Sequence, residues 1–279
     1  MRMGKVLLAL VALALPGVAV ADGIASLEVD GNQATAEIAL PGGLGADLTF
    51  TFENVVGLSA ASLGLSAEVV NPMTPTTGGL AGRLPGSLVS LPGAFPVLVR
   101  VQPEENSPLS FSGVYQLSLH THNLQFAAGC PLRIFHASAG GPFTDVTSSI
   151  GTGSYRGGAT GGSFSEFLIV ADARPLTGVI AGKFAALESL LAGNASAISP
   201  EALSQLDALA DGARAAYDQN RLADAIEQLE LFTDLVKSAS GGAIPDVWRP
   251  TGDVTNVAGL LRTAAATLRF SINLQRSPV

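Results

Sequence analysis

The chain has 279 residues, 47 % of them apolar and only 14 % charged, against roughly 25 % charged in an average soluble domain. Fifteen Lys and Arg against 23 Asp and Glu leave a net charge of −8. That balance speaks against nucleic acid, whose phosphates need a basic surface, and against docking on anionic lipid. High apolar content with little charge also speaks against a disordered chain, and the length predicts two folding units.

Residues 1–21 read as a secretory signal peptide. Arg2 and Lys5 form the positive start, residues 6–15 are an unbroken apolar run, and Pro16-Gly17 breaks it before the small residues Ala19-Val20-Ala21. A membrane-spanning helix needs about 20 apolar residues, so the run is too short. Cleavage after Ala21, a secreted or periplasmic location and no stable membrane insertion afterwards are expected. The single Cys130 cannot form an internal disulfide, and its turn-like setting marks it as a small, half-buried apolar residue rather than a reactive thiolate.

Residues 22–175 carry a strand-like pattern. Ala34, Ala36, Ile38 and Leu40 alternate with polar residues, as do Leu48, Phe50 and Phe52. Val97, Val99 and Val101 repeat the period, and a long run over residues 111–121 places Tyr115, Leu117 and Leu119 on one face. Shorter apolar runs follow at Leu132 to Phe135 and at Phe164, Phe167 and Ile169. A period of two with one apolar face marks antiparallel sheet, and several such strands with turn signals between them predict a β-sandwich. Residues 140–163, rich in Gly, Ser and Thr, read as a surface loop broken by a short strand.

After Pro175 the period changes to 3.6 over residues 176–279. Ile180, Phe184, Leu187 and Leu191 share one helical face. Ser199-Pro200 starts a second helix, with Ser as N-cap and Pro at the first position. Leu222, Ile226, Leu229, Phe232 and Val236 form a further stripe, and Val257, Leu261, Ala264, Leu268 and Ile272 line a last helix over about residues 254–274. Short connections predict a small antiparallel helical bundle. The expected class is therefore α+β and multidomain.

Leu206-x-x-Leu209, Ala213-x-x-x-Tyr217, Asn220 and Ala225-Ile226-x-x-Leu229-x-x-Phe232-x-x-x-Val236 resemble the FIMAH module, a small helical unit at the ends of some secreted bacterial proteins. The resemblance spans about residues 198–274; residues 244–252, with Trp248 and Pro250, are long for its turn. Gly153-Ser154-Tyr155-Arg156 and Phe164-Ser165-Glu166-Phe167 are similar to an uncharacterised family of exported bacterial proteins. The aromatic-Ser-x-Phe strand before a linker also resembles the last strand of Ig-like extracellular modules. None of these resemblances implies a reaction.

Chemistry-bearing motifs are sparse. Gly178 to Lys183 has too short a spacer for a P-loop, with Phe184 where a Mg²⁺-binding hydroxyl would stand, and no Gly-x-Ser-x-Gly elbow occurs. The three histidines all fall between residues 120 and 136. His120 and His122, two apart on a strand, point the same way, and His136 is expected on the antiparallel partner. Three imidazoles on one face could hold Zn²⁺ or Cu²⁺, with Asp145 as an added ligand. The opposing reading is a solvated sheet face, since no acidic partner is near in sequence. Trp248 and Tyr155 read as packing residues rather than a sugar platform.

The sequence thus predicts an exported, non-catalytic binding or structural protein with no cofactor and no assigned metal site. Its partner would be a protein or polysaccharide of the cell envelope or exterior. The alternative is a metal-dependent or hydrolytic enzyme using the histidine-lined face.

Overall fold

The computed structural model describes residues 23–71, 79–127 and 129–277; the signal peptide expected at residues 1–21 lies outside the described residues. In chain order, β1 (Ile24–Asp30), β2 (Gln33–Leu40) and β3 (Leu44–Val56) lead through the one-turn helix α1 (Ala60–Leu63) to β4 (Leu65–Val69), β5 (Val89–Ser90) and β6 (Val97–Val101). The long β7 (Ser110–Gln125) precedes β8 (Leu132–Ala137), β9 (Thr144–Asp145), β10 (Thr147–Gly151), β11 (Ser154–Gly161) and β12 (Glu166–Asp172). Then come α2 (Leu176–Gly193), α3 (Pro200–Asp218), α4 (Leu222–Ala239), the short β13 (Val247–Trp248) and α5 (Val257–Arg276). The described residues form two antiparallel sheets and five helices, an α+β fold.

The first sheet has the order β1-β2-β3-β7-β11-β10, with β13 also pairing with β7. The second has the order β4-β6-β12-β8-β9, with β5 also on β12. Alternation decides which side chains meet. Phe50, Phe52, Tyr115 and Leu117 from the first sheet share one buried apolar cluster with Val97, Val99, Ile134, Phe167 and Ile169 from the second. Within it Phe164 stacks on Tyr115 at 4.7 Å. The opposite side of the second sheet is buried too: Leu98, Phe135, Leu168 and Val170 pack with Val89 and Phe143 in a separate cluster. This is why Leu98 of β6 and Leu168 and Val170 of β12 are apolar where a sheet with one wet face would carry polar residues.

Residues 140–163, expected as a surface loop broken by one short strand, hold three strands. These are β9, β10 and β11, and β11 pairs with both β7 and β10. The signal was weak because β11 contributes backbone more than side chain. A Cβ added at Gly157 would stand 2.8 Å from both Ile134 and the Tyr155 hydroxyl, so glycine there admits two large core groups and erases the apolar period.

The helical segment buries its own cluster, with Phe184 and Leu187 of α2, Leu206 of α3, Leu229 and Phe232 of α4, and Leu261 and Leu268 of α5. Ser199 caps α3 as expected, accepting from the Ala202 N–H at 3.3 Å. By length and composition α2 is apolar enough to cross a membrane; here Ile180, Phe184, Leu187 and Leu191 are buried in the helical cluster. The long connection before α5 returns to the first sheet. There Trp248 pairs with Phe111 and stacks on its ring at 5.2 Å, the packing role expected of it.

α5 joins the two parts. It starts at Val257 rather than near 254, because Asn256 caps it: Asn256 Oδ1 accepts from the Gly259 N–H at 2.7 Å. The same side chain donates to the carbonyls of Gly113 (2.7 Å) and Gly162 (3.1 Å). Gly113 lies at a bulge in the β3/β7 register with φ +74°, a left-handed conformation that favours glycine. On the opposing strand Glu53 accepts both terminal nitrogens of Arg262 at 2.6 Å.

Candidate functional site

His120 and His122 sit on β7 and project to the outer side of the first sheet, since Leu119 and Thr121 between and beside them are buried. Their neighbour was not visible from the local sequence. In the β3/β7 register Asp47 stands directly opposite His120, and directly opposed residues share a face. Asp47 Oδ2 lies 3.1 Å from His120 Nδ1 and 3.1 Å from His122 Nε2. The other ring nitrogen of His120 meets Ser154 Oγ of β11 at 2.6 Å. The hydrogen bond from His122 holds the Asp47 carboxyl below its ordinary value; partial burial works the other way, and His120 adds to the lowering. One ligand atom each from Asp47, His120 and His122 falls within 4.8 Å of the others.

Asp47 was recoverable in part. With Leu48, Phe50 and Phe52 inward, alternation sends Asp47 outward, but its strand partner lies 73 residues away, beyond any local pattern.

His136 is not part of this group. It was expected on the antiparallel partner of the His120 strand, but β7 pairs with β3, β11 and β13, while His136 lies on β8 of the second sheet opposite Phe167. Its ring sits 5.0 Å from that of Phe167. It borders a cavity of about 300 Å³ with Tyr115, Thr144, Thr160 and Thr263. His136 Nε2 is enclosed and has no hydrogen-bond partner among the described residues. Burial pushes this imidazole down to about 4, with Glu166 offsetting only part of the effect, so the ring is neutral at pH 7.

Asp145, considered as an added ligand, is also committed elsewhere. Lys183 Nζ of α2 donates to Asp145 Oδ2 (2.7 Å), to Thr267 Oγ1 (2.6 Å) and to Ser271 Oγ (2.8 Å). Burial pushes the Lys183 amine down, and Asp145 opposes that shift. Lys183 thus clamps α2, α5 and the end of the second sheet. Glu166 is held in the same manner by Arg83 and Arg100. Burial raises its carboxyl, but the hydrogen bonds and charges of the two guanidinium groups more than offset that, leaving it below its ordinary value. Cys130 is buried and unpaired with any other thiol.

Over residues 7–276 the chain matches a family of unknown function (DUF6689), and it belongs to that family. No curated protein matches it.

Proposed function

We propose that this member of a family of unknown function is an exported bacterial protein with a non-catalytic binding or structural role. In this reading residues 22–175 are an Ig-like β-sandwich, residues 176–279 a helical bundle with a FIMAH-like core, and residues 1–21 a signal peptide removed after Ala21. The observation that carries it is that the enclosed charges Arg262, Lys183, Asp145 and Glu166 are each taken up by an ion pair. Arg262 with Glu53, Lys183 with Asp145, and Arg83 with Glu166 each bridge separate elements, and such pairs hold one arrangement of the chain. Thr49, Thr51, Gln116, Ser118 and Ser149 border an open depression of about 360 Å³ on the first sheet. Hydroxyls and amides of this kind suit a polysaccharide or polar protein partner.

Two measurements test this. The full chain, produced in a bacterial host and fractionated, should be recovered from the periplasm or medium with Asp22 at its N-terminus; cytoplasmic protein retaining Met1 would defeat the export reading. Purified mature protein should show no turnover of ester, phosphoester, peptide or glycoside substrates, with or without Zn²⁺. Turnover that disappears in H120Q/H122Q would establish the hydrolytic alternative instead.

A further inference from the structure

We propose that Asp47, His120 and His122 form a binding site for a divalent transition-metal ion of the Zn²⁺, Ni²⁺ and Cu²⁺ class. Two imidazole nitrogens and one carboxylate oxygen are a donor set for these ions and a poor one for Ca²⁺ or Mg²⁺, which take oxygen ligands. The spacing fits. Metal–ligand bonds of about 2.0–2.1 Å in a tetrahedron place neighbouring ligands about 3.3 Å apart; the two Asp47–histidine separations are both 3.1 Å, and all three donor atoms lie within 4.8 Å of one another.

Three features outside the ligand set act on it. Ser154 Oγ holds His120 Nε2 at 2.6 Å. When His120 carries its proton on Nε2 and donates it to Ser154, the Nδ1 lone pair is free for an ion, and hydrogen bonds of this kind orient ligating histidines. A Cβ added at Gly45 of β3 would come within 2.8 Å of His122 Nδ1. Glycine is what lets this imidazole lie across β3 and reach Asp47. Finally, Glu37 pairs with Asp47 across β2 and β3 and is exposed on the same side. Like charges placed opposite each other are unfavourable, and a dication beside them reverses the sign. On the other flank Arg156, opposite His120, turns its guanidinium to the Thr152 carbonyl at 3.3 Å.

The side chains of Asp47 and His122 are 50 % and 44 % exposed, so the remaining coordination positions face solvent and leave room for water or a ligand atom from a partner. Binding replaces any proton held between Asp47 and the imidazoles, so metal uptake releases protons or shifts them to the far ring nitrogens. The inference goes beyond the proposed function and does not depend on it, because these three side chains can bind an ion whether or not the protein is exported or catalytic.

The test is calorimetric titration of tag-free mature protein with Zn²⁺, together with electron paramagnetic resonance of the Cu²⁺-loaded protein. One ion should bind per chain, and the Cu²⁺ spectrum should show coupling to two imidazole nitrogens. D47N, H120Q and H122Q should each weaken binding at least about 10-fold, and S154A should do so by about 10-fold, as loss of outer-shell partners does. H136Q should bind as the wild type does. The proposal is overturned if no stoichiometric ion binds, or if D47N and H120Q, with wild-type circular dichroism, bind undiminished. It is equally overturned if H136Q abolishes binding, or if the Cu²⁺ spectrum lacks nitrogen coupling.

Discussion

Replacing Glu53 should harm the protein more than replacing Arg262, although the two form one ion pair. Arg262 has a side chain 10 % exposed, while that of Glu53 is 33 % exposed. Breaking a buried pair costs about 3–5 kcal/mol when the remaining charge stays buried. In E53Q the guanidinium stays enclosed on α5 without a counter-charge, and its Nε already lacks a partner among the described residues. We expect a loss of about 3 kcal/mol, the lower end of that range. In R262M the methionine keeps the apolar stem packed, and the Glu53 carboxylate can turn to water while still accepting from the Val114 N–H at 3.3 Å. The expected loss there is about 1.5 kcal/mol, the scale of one charged hydrogen bond. The double variant should be close to R262M alone, since the stranded cation is gone, which makes the pair strongly non-additive. Urea unfolding read through Trp248, the one tryptophan, reports this directly because that ring stacks on Phe111 beside the same junction. The pH dependence has a fixed sign. Burial raises the Glu53 carboxyl, but Arg262, with smaller help from the Val114 N–H and Lys237, more than offsets this and leaves it below 4.5. Its contribution is therefore complete above that unfolded value and is lost as pH falls through the lower folded one. Equal losses in E53Q and R262M, or losses under about 0.5 kcal/mol as at ordinary surface sites, would refute the reasoning.

Other perturbations have equally definite outcomes. His136 is pushed down to about 4 from 6.5, so on acidification the unfolded chain takes up its proton first. Stability should fall between those two values by up to about 3 kcal/mol, and H136Q should remove that part of the slope in urea titrations at a series of pH values. K183M strands the Asp145 carboxylate, 3 % exposed, and should cost about 3–5 kcal/mol; in thermal melts, adding D145N should restore much of it. G162A would place a Cβ 2.3 Å from the Gly259 carbonyl carbon and 2.5 Å from the Leu260 nitrogen. Because those are backbone atoms of α5, the helix must shift, and a loss of about 1–3 kcal/mol should appear in the same melts.

Periodicity along the chain determined the elements. Leu48, Phe50 and Phe52, and then Tyr115, Leu117 and Leu119, announce strands because successive side chains in an extended backbone must face opposite ways. Phe184, Leu187 and Leu191 announce a helix for the matching reason, and Ser199-Pro200 marks a start that depends on one side-chain hydrogen bond. All of these are set within a few residues. Glycine-rich β11 escaped that reading because a strand can pair through its backbone while offering few side chains to count.

Strand order and long-range partnership were decided only in three dimensions. His120 and His122 were visible as a pair, but their carboxylate lies 73 and 75 residues away, and His136 went to the other sheet. Glu53 and Arg262 meet across 209 residues. Hydrophobic alternation says which way a side chain points, and it is blind to which strand lies alongside. That choice belongs to the packing of the whole chain, because a register is favourable only when both apolar faces close over one core.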